Sequence, residues 1–290
     1  MKKIGFILSL PLIYGIALMP FRMLYMVSDG LSFFLYHIVR YRRQLVEKNL
    51  SIAGYSEDVK HRKAIEKGFY KHFCDMYLET FKSLTMSKKQ IQKRFVVHNT
   101  ELLTSLAAKN KSIFIMCGHY ASYEWLLSLG YYSDHTAYGI YTPLSNPHFD
   151  KLIRRARRRY GAYLIPRRDT ILTIKKHLSQ NHLAFYGFAS DQSPRVKSKT
   201  YFRKFLGAEV PVFTGAERLA KENDVPVLMA KVRKVKRGYY ETDLIVLSTD
   251  PTKEKENAIT DAFTIELEKQ IRENPNYYLW SHNRFKFMKS

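Results

Sequence analysis

Two stretches of the chain place a histidine and a glutamate five residues apart: His61 with Glu66, and His119 with Glu124. A histidine beside a carboxylate is what general-base chemistry needs. The imidazole takes up a proton near neutral pH, and the carboxylate orients the ring and balances the charge it gains. Spacing alone is a weak signal, because ten histidines among ordinary numbers of acids give about one such match by chance. Context separates the two. His61 lies in VKHRKAIEKG, a charged stretch with no strand pattern before it. Five residues on a regular helix turn through roughly 500°, leaving the side chains roughly 140° apart, which predicts a solvated helix face. His119 instead ends the run SIFIMCGH, just past a buried-strand pattern and a glycine, and Glu124 opens the helical pattern ASYEWLLSL. A break in regular structure between them lets both side chains converge. Such a base needs no serine or cysteine nucleophile, since an acceptor hydroxyl can attack a thioester directly. The plainer alternative is a hydrogen-bonded core histidine near a helix start.

Three further features bear on His119. DKLIRRARRRYG carries Arg154, Arg155, Arg157, Arg158 and Arg159, and Arg167 and Arg168 follow. On a helix most of these face solvent, but one or two can turn toward a site, where guanidinium forks grip phosphate or carboxylate. ASDQSP places Asp191 directly after the strand pattern LAFYGF, where it can orient an arginine or a histidine. RVKSKTYFRKFLG, residues 195–207, interleaves basic and aromatic residues and suits an interfacial surface. No cofactor is called for. Cys74 and Cys117 stand alone, with no ligand spacing for a metal and no disulfide framework, which fits a reducing compartment.

The elements that must position these residues follow from hydrophobic periodicity. A helix is expected over about 56–86, with Tyr70, Phe73, Tyr77 and Phe81 on its core-facing side. Short apolar runs then read as strands at 112–117, 137–142, 183–188, 225–230 and 244–247. Helical patterns separate them near 122–131, 147–160, 169–180, 213–223 and 257–273. This alternation predicts an α/β fold with a largely parallel central sheet flanked by helices. Sites in such sheets lie beyond the carboxyl ends of strands, where His119 and Asp191 fall.

Ahead of this domain, Ile4 to Phe21 contains no charged residue, eighteen in all, which reaches the lower range for a membrane-spanning helix. Lys2 and Lys3 resemble the start of a signal peptide, but no small-x-small cleavage site follows; a buried core helix is the other alternative. Arg22, Arg40, Arg42, Arg43 and Lys48 follow the span, so the remainder is expected on the cytoplasmic side. The expected division is a membrane anchor over 1–43 and a catalytic domain over 44–290. The whole chain of 290 residues has 48 Lys+Arg against 26 Asp+Glu, a formal charge of +22. That surplus predicts an anionic partner, whether nucleic acid, membrane, acidic protein or phosphorylated substrate. No recognised nucleic-acid module accompanies it, so a basic membrane-tethered nucleic-acid-binding protein is the lesser alternative.

The ordered set GHYASYE, IYTPLSNPHFD, ARRRYG, ASDQSP, FLG followed by VPVFTGAERLA, and NPNYYLWSHNRFK resembles the late acyltransferases of lipid A biosynthesis. These are the lauroyl/myristoyl transferases of the lysophospholipid acyltransferase-like superfamily, and the similarity runs from the N-terminal segment to Lys286. The resemblance implies transfer of an acyl chain from acyl carrier protein to a hydroxyl of an anionic lipid A precursor at the inner membrane. It implies His119 as general base with Glu124 as its partner, and matches Arg157 and Asp191 to the family's further essential arginine and aspartate. One departure is that the family commonly has Tyr-Arg-Pro where this chain reads Tyr141-Thr142-Pro143. Related enzymes acylate other acceptors, including glycolipids and aminolipids.

Overall fold

The structure is a computed structural model that describes residues 2–289. Its helices are α1 Lys2–Leu18, α2 Phe21–Phe33, α3 Arg43–Leu50, α4 Val59–Lys82 and α5 Lys88–Arg94. These are followed by α6 Thr100–Ala107, α7 Pro147–Arg158, α8 Thr170–Ser179, α9 Gly215–Asn223 and α10 Ala258–Glu273. The strands are β1 Phe95–Val97, β2 Ile113–Cys117, β3 Thr136–Tyr141, β4 Ala162–Pro166 and β5 Ala184–Ala189, then β6 Phe202–Phe205, β7 Ala208–Pro211, β8 Val227–Lys236 and β9 Tyr239–Ser248.

Seven strands form the central sheet, ordered β1-β9-β8-β2-β5-β3-β4. Every neighbouring pair is parallel except β8 with β9, a long antiparallel hairpin. The α/β fold with a mostly parallel, helix-flanked sheet is therefore as expected. β2 lies mid-sheet with both faces covered, so IFIMC reads as an unbroken apolar run, as central parallel strands do. Its Ile113, Phe114 and Met116 are fully buried and join Phe185 and Tyr186 of β5 with Val227 and Leu228 of β8 in one core.

Several elements differ from expectation. β1 and β4 are short, and neither stood out as an apolar run; β4 is the AYLIP segment just beyond the arginine cluster. The 122–131 segment is a 3-10 helix, Tyr123–Tyr131, entered from a left-handed Ala121 without a side-chain cap from Ser122. The basic-aromatic stretch is not a free interfacial surface. Its second half folds into the β6–β7 hairpin, buries Phe205 and Leu206, and ties Tyr201 and Arg203 to Asp261 of α10. His61 and Glu66 diverge, but only His61 faces solvent. Glu66 turns inward, 2% exposed, between Tyr36, Arg43 and Arg62, because a rotation that carries one residue outward carries the other in.

The N-terminal segment also departs from a single span. α1 ends at Leu18, the chain breaks at Met19 and Pro20, and α2 starts at Phe21. Among the described residues no helix is long and apolar enough to cross a membrane. α1 packs Ile13 and Ala17 against Leu84 after α4 and Leu152 and Ala156 of α7. It leaves Ile4, Leu8, Leu12 and Leu18 exposed.

Candidate active site

β2 and β5 run parallel in register, with Cys117 opposite Ala189. Two residues beyond those paired ends stand His119 and Asp191, brought face to face by the equal offset. Asp191 accepts twice from the same residue: from the His119 backbone N–H at 3.0 Å, and at Oδ1 from ring Nδ1 at 2.7 Å. With Nδ1 carrying the proton, Nε2 is the basic nitrogen. Burial opposes a charged imidazole, but the Asp191 carboxylate, by its charge and its hydrogen bond, raises His119 above the usual histidine value. Burial likewise pushes Asp191 up, yet His119 outweighs it and holds the carboxyl below the usual carboxylate range. Asp191 thus stabilises the imidazolium that forms when neutral His119 gains a proton during a reaction.

The loop carrying His119 is fixed from the C-terminal end of the chain. Leu279 N–H donates to the His119 carbonyl at 3.1 Å and Ala121 N–H to the Tyr277 carbonyl at 3.0 Å. Gly118 is needed for a close approach, since a Cβ there would lie 2.5 Å from Leu267 Cδ1 of α10.

Glu124 is not the direct partner of His119. In the first turn of the 3-10 helix it receives a two-pronged grip from Arg157 of α7, Nε to Oε2 at 2.9 Å and Nη2 to Oε1 at 2.6 Å. Its charge still acts on His119 at longer range, favouring the imidazolium. Five positions separate His119 from Glu124, whereas Asp191 enters on the adjacent strand, so the shorter route in space belongs to the residue farther away in sequence. Of the clustered arginines, Arg157 is the one drawn in. Arg155 and Arg158 face solvent, Arg154 lies near Asp150, and Arg159 reaches the Met86 carbonyl. Arg167 and Arg168 are exposed, packed on Phe213 and paired with Asp169 respectively.

Three neighbours escaped the sequence reading. Gln192 Nε2 lies 3.3 Å from His119 Nε2, so the amide covers the basic nitrogen. The Tyr123 ring meets the His119 ring edge-on, with centroids 4.8 Å apart. His282 Nε2 accepts from Ser193 N–H at 3.3 Å; burial, together with nearby His119, Arg284 and Arg42, lowers its basicity against the pull of Asp191. Tyr77, expected on the core-facing side of α4, is instead 45% exposed, unlike buried Tyr70 and Phe73. Gln192 and Tyr123 directly adjoin Asp191 and Glu124 in sequence, the one signal that could have found them.

Cys117, at the end of β2, has its thiol pushed up to about 12 by burial and by the Asp191 and Glu124 carboxylates, so it stays protonated. No group of three or more potential metal ligands occurs among the described residues. An oriented base beside a protonated thiol, at the carboxyl edge of a parallel α/β sheet, is the arrangement of an enzyme that activates a hydroxyl directly, without a cysteine nucleophile. The chain belongs to the bacterial lipid A biosynthesis acyltransferase family, whose profile matches residues 2–287. It is 23% identical over 284 residues to the lipid A biosynthesis lauroyltransferase of Escherichia coli, covering 96% of this chain and 90% of that protein. It is 22% identical over 277 residues to a lipid A biosynthesis acyltransferase of Haemophilus influenzae, covering 91% and 82%.

Proposed function

We propose that this acyltransferase moves a fatty acyl chain from a thioester donor, acyl carrier protein, to a hydroxyl of a lipid A precursor. The observation that carries this reading is the 2.7 Å contact of His119 Nδ1 with Asp191, which reserves Nε2 for a proton. His119 draws the proton from the acceptor hydroxyl as that oxygen bonds to the thioester carbon. The tetrahedral intermediate expels the thiolate, and the imidazolium returns the proton to sulfur. Asp191 holds the ring and balances its charge throughout. The Arg157–Glu124 pair fixes the facing wall and keeps a second carboxylate near the imidazolium.

Residues 1–43 attach the protein to the inner membrane, with the catalytic domain, 44–290, on the cytoplasmic face. Support comes from the exposed apolar residues Leu8, Leu12, Met23, Met26, Phe33 and Phe34, flanked by Arg22, Arg40, Arg42 and Arg43. Helices this short and this exposed lie along the interface rather than through it. The test is incubation of the full chain with acyl carrier protein thioester and a lipid A precursor, read by mass spectrometry. One added acyl mass on the precursor, lost in His119→Ala, is expected; transfer to an aminolipid or glycolipid in its place would move the enzyme to another acceptor.

A further inference from the structure

Between the one-turn π-helix Phe34–Val39 and α3, the chain makes a short turn that presents Arg40, Arg42 and Arg43 together. Both Arg40 (φ 52°) and Arg42 (φ 51°) adopt the left-handed conformation. Residues with a Cβ resist that region, and strain of this kind persists only where surrounding contacts hold it. Here they do. Tyr70 donates its hydroxyl to the Tyr41 carbonyl at 2.5 Å, and Arg43 N–H closes the turn on the Arg40 carbonyl at 3.1 Å. Arg43 lies over the Tyr36 ring at 4.5 Å and near Glu66 at 3.8 Å.

The turn opens on a groove of about 500 Å³ lined by Arg40, Arg42, Arg43, Gln44, Leu45 and Glu47. Glu47, the only acid among these, is already paired with Arg62 at 2.8 Å. The Arg40 side chain has no ion-pair partner among the described residues. Arg43 is offset by Glu66, but no carboxylate pairs with Arg40 or Arg42 among the described residues, so the groove keeps positive charge in planar, multi-donor form, which suits phosphate better than a single carboxylate.

Its position ties it to the reaction. Arg42 Nη1 donates to the Ser281 carbonyl at 2.9 Å. Asn49 of α3 donates to the carbonyls of Trp280 and His282 at 2.8 and 2.7 Å. His282 in turn accepts from Ser193, two residues past Asp191. Four hydrogen bonds thus link the basic turn and α3 to the segment that follows Asp191. Just before the turn in the chain, Phe33, Phe34, Ile38 and Val39 are all exposed apolar side chains. The basic groove is thus preceded in the chain by exposed apolar residues and linked through hydrogen bonds to the segment that follows Asp191, so a charged head bound there would have apolar surface beside it.

We propose that the Arg40–Arg42–Arg43 groove binds a phosphate of the acceptor lipid and so sets which hydroxyl reaches His119. This rests on the acceptor being a phosphorylated lipid, as in the function proposed above. An acidic carrier protein would also seek positive charge, but it has no use for these exposed apolar residues.

The test compares the full chain with Arg40→Gln and with Arg40→Gln/Arg42→Gln. Substrates are the thioester donor, a phosphorylated lipid A precursor, and the same lipid dephosphorylated. The double variant should raise KM for the phosphorylated acceptor about tenfold or more, leaving donor KM and kcat within about twofold. With the dephosphorylated acceptor, variant and wild type should match. Arg40→Gln, which breaks no internal contact, should give part of the same rise and guards against misfolding from the loss of the Arg42–Ser281 bond. Equal losses with both acceptors would mean a structural role, and a raised donor KM would mean a carrier-protein dock; either overturns the proposal. Binding to the inactive His119→Ala protein separates this inference from the reaction itself. If wild type transfers nothing, but the phosphorylated precursor binds and loses affinity in the arginine variants, the groove stands while the proposed reaction falls. If the variants lose phosphatidylglycerol vesicles as strongly as the precursor, the groove only senses membrane charge and the assignment is wrong.

Discussion

His119 and Asp191 meet because each lies two residues past a register-paired strand end, Cys117 on β2 and Ala189 on β5. Their contact is therefore a property of the sheet rather than of either loop. Ring position and backbone position are fixed together, since Asp191 binds both Nδ1 and the main-chain N–H of His119.

The first prediction concerns the two histidines that share a spacing. His119→Ala should lower kcat about 10²- to 10⁴-fold, the usual cost of losing a general base. His61→Ala, on the exposed start of α4, should leave the rate intact. Initial rates at saturating donor, on variants with normal melting curves, decide the matter. A folded His119→Ala that kept more than about a tenth of the rate would remove the base assignment.

The second concerns pH. The base must be neutral to accept a proton, so activity should rise with pH through the His119 pKa, which Asp191 raises. Asp191→Asn removes the anion that favours imidazolium, so the acidic limb of the kcat/KM profile should move to lower pH even as the maximum rate falls. A limb that moved upward or stayed in place would separate Asp191 from the titrating group.

Gln192 supplies a third. Its amide lies 3.3 Å from His119 Nε2, where an acceptor hydroxyl would have to displace it, and the expected role is to shield the base from water. Gln192→Ala should raise the ratio of thioester hydrolysis to acyl transfer about tenfold, a difference of roughly 1.4 kcal/mol between two barriers. Free fatty acid and acylated lipid measured in one reaction give the ratio directly; an unchanged ratio would rule out the shielding role.

The Glu124–Arg157 pair can be weighed by a double-mutant cycle. Either single change, Glu124→Gln or Arg157→Gln, leaves a largely buried partner unmatched, and the pair is coupled through two hydrogen bonds. A coupling energy of about 0.5–3 kcal/mol in urea unfolding is expected. Additive losses would show that the pair contributes nothing beyond its separate members.

The last concerns attachment. Leu8 is 75% and Leu12 68% exposed on α1. Immersing each in a bilayer interface is worth about 1.5–3 kcal/mol. Leu8→Glu/Leu12→Glu should therefore shift the protein from the membrane pellet toward the soluble fraction, while Ile13→Glu should instead lower the melting temperature, because Ile13 is buried against the domain. Equal recovery of the Leu8/Leu12 variant and wild type in the pellet would place the attachment elsewhere.

Much of the protein was legible in the residues themselves. The alternation of buried apolar runs with helical patterns defines a parallel α/β sheet, because each element carries its own periodicity. The placement of His119 just past the run SIFIMC, and of Asp191 just past LAFYGF, marks both as edge residues on local grounds alone. The same local logic separates His119 from His61, though it misjudged Glu66, whose inward turn depends on Tyr36, Arg43 and Arg62 from other elements.

What only the tertiary structure decided is which of these edge residues touch. Antiparallel neighbours announce themselves through the turn that joins them, as β8 and β9 do; parallel neighbours are joined by long crossovers and carry no local mark of adjacency. β2 and β5 are neighbours although β3 and β4 intervene in the chain, so nothing near His119 in sequence points to Asp191. Glu124, near in sequence, was the natural partner to expect. It was drawn to Arg157 because a bidentate guanidinium on α7 satisfies both its oxygens, while His119 was already held, ring and backbone, by the carboxylate that sheet register placed opposite it.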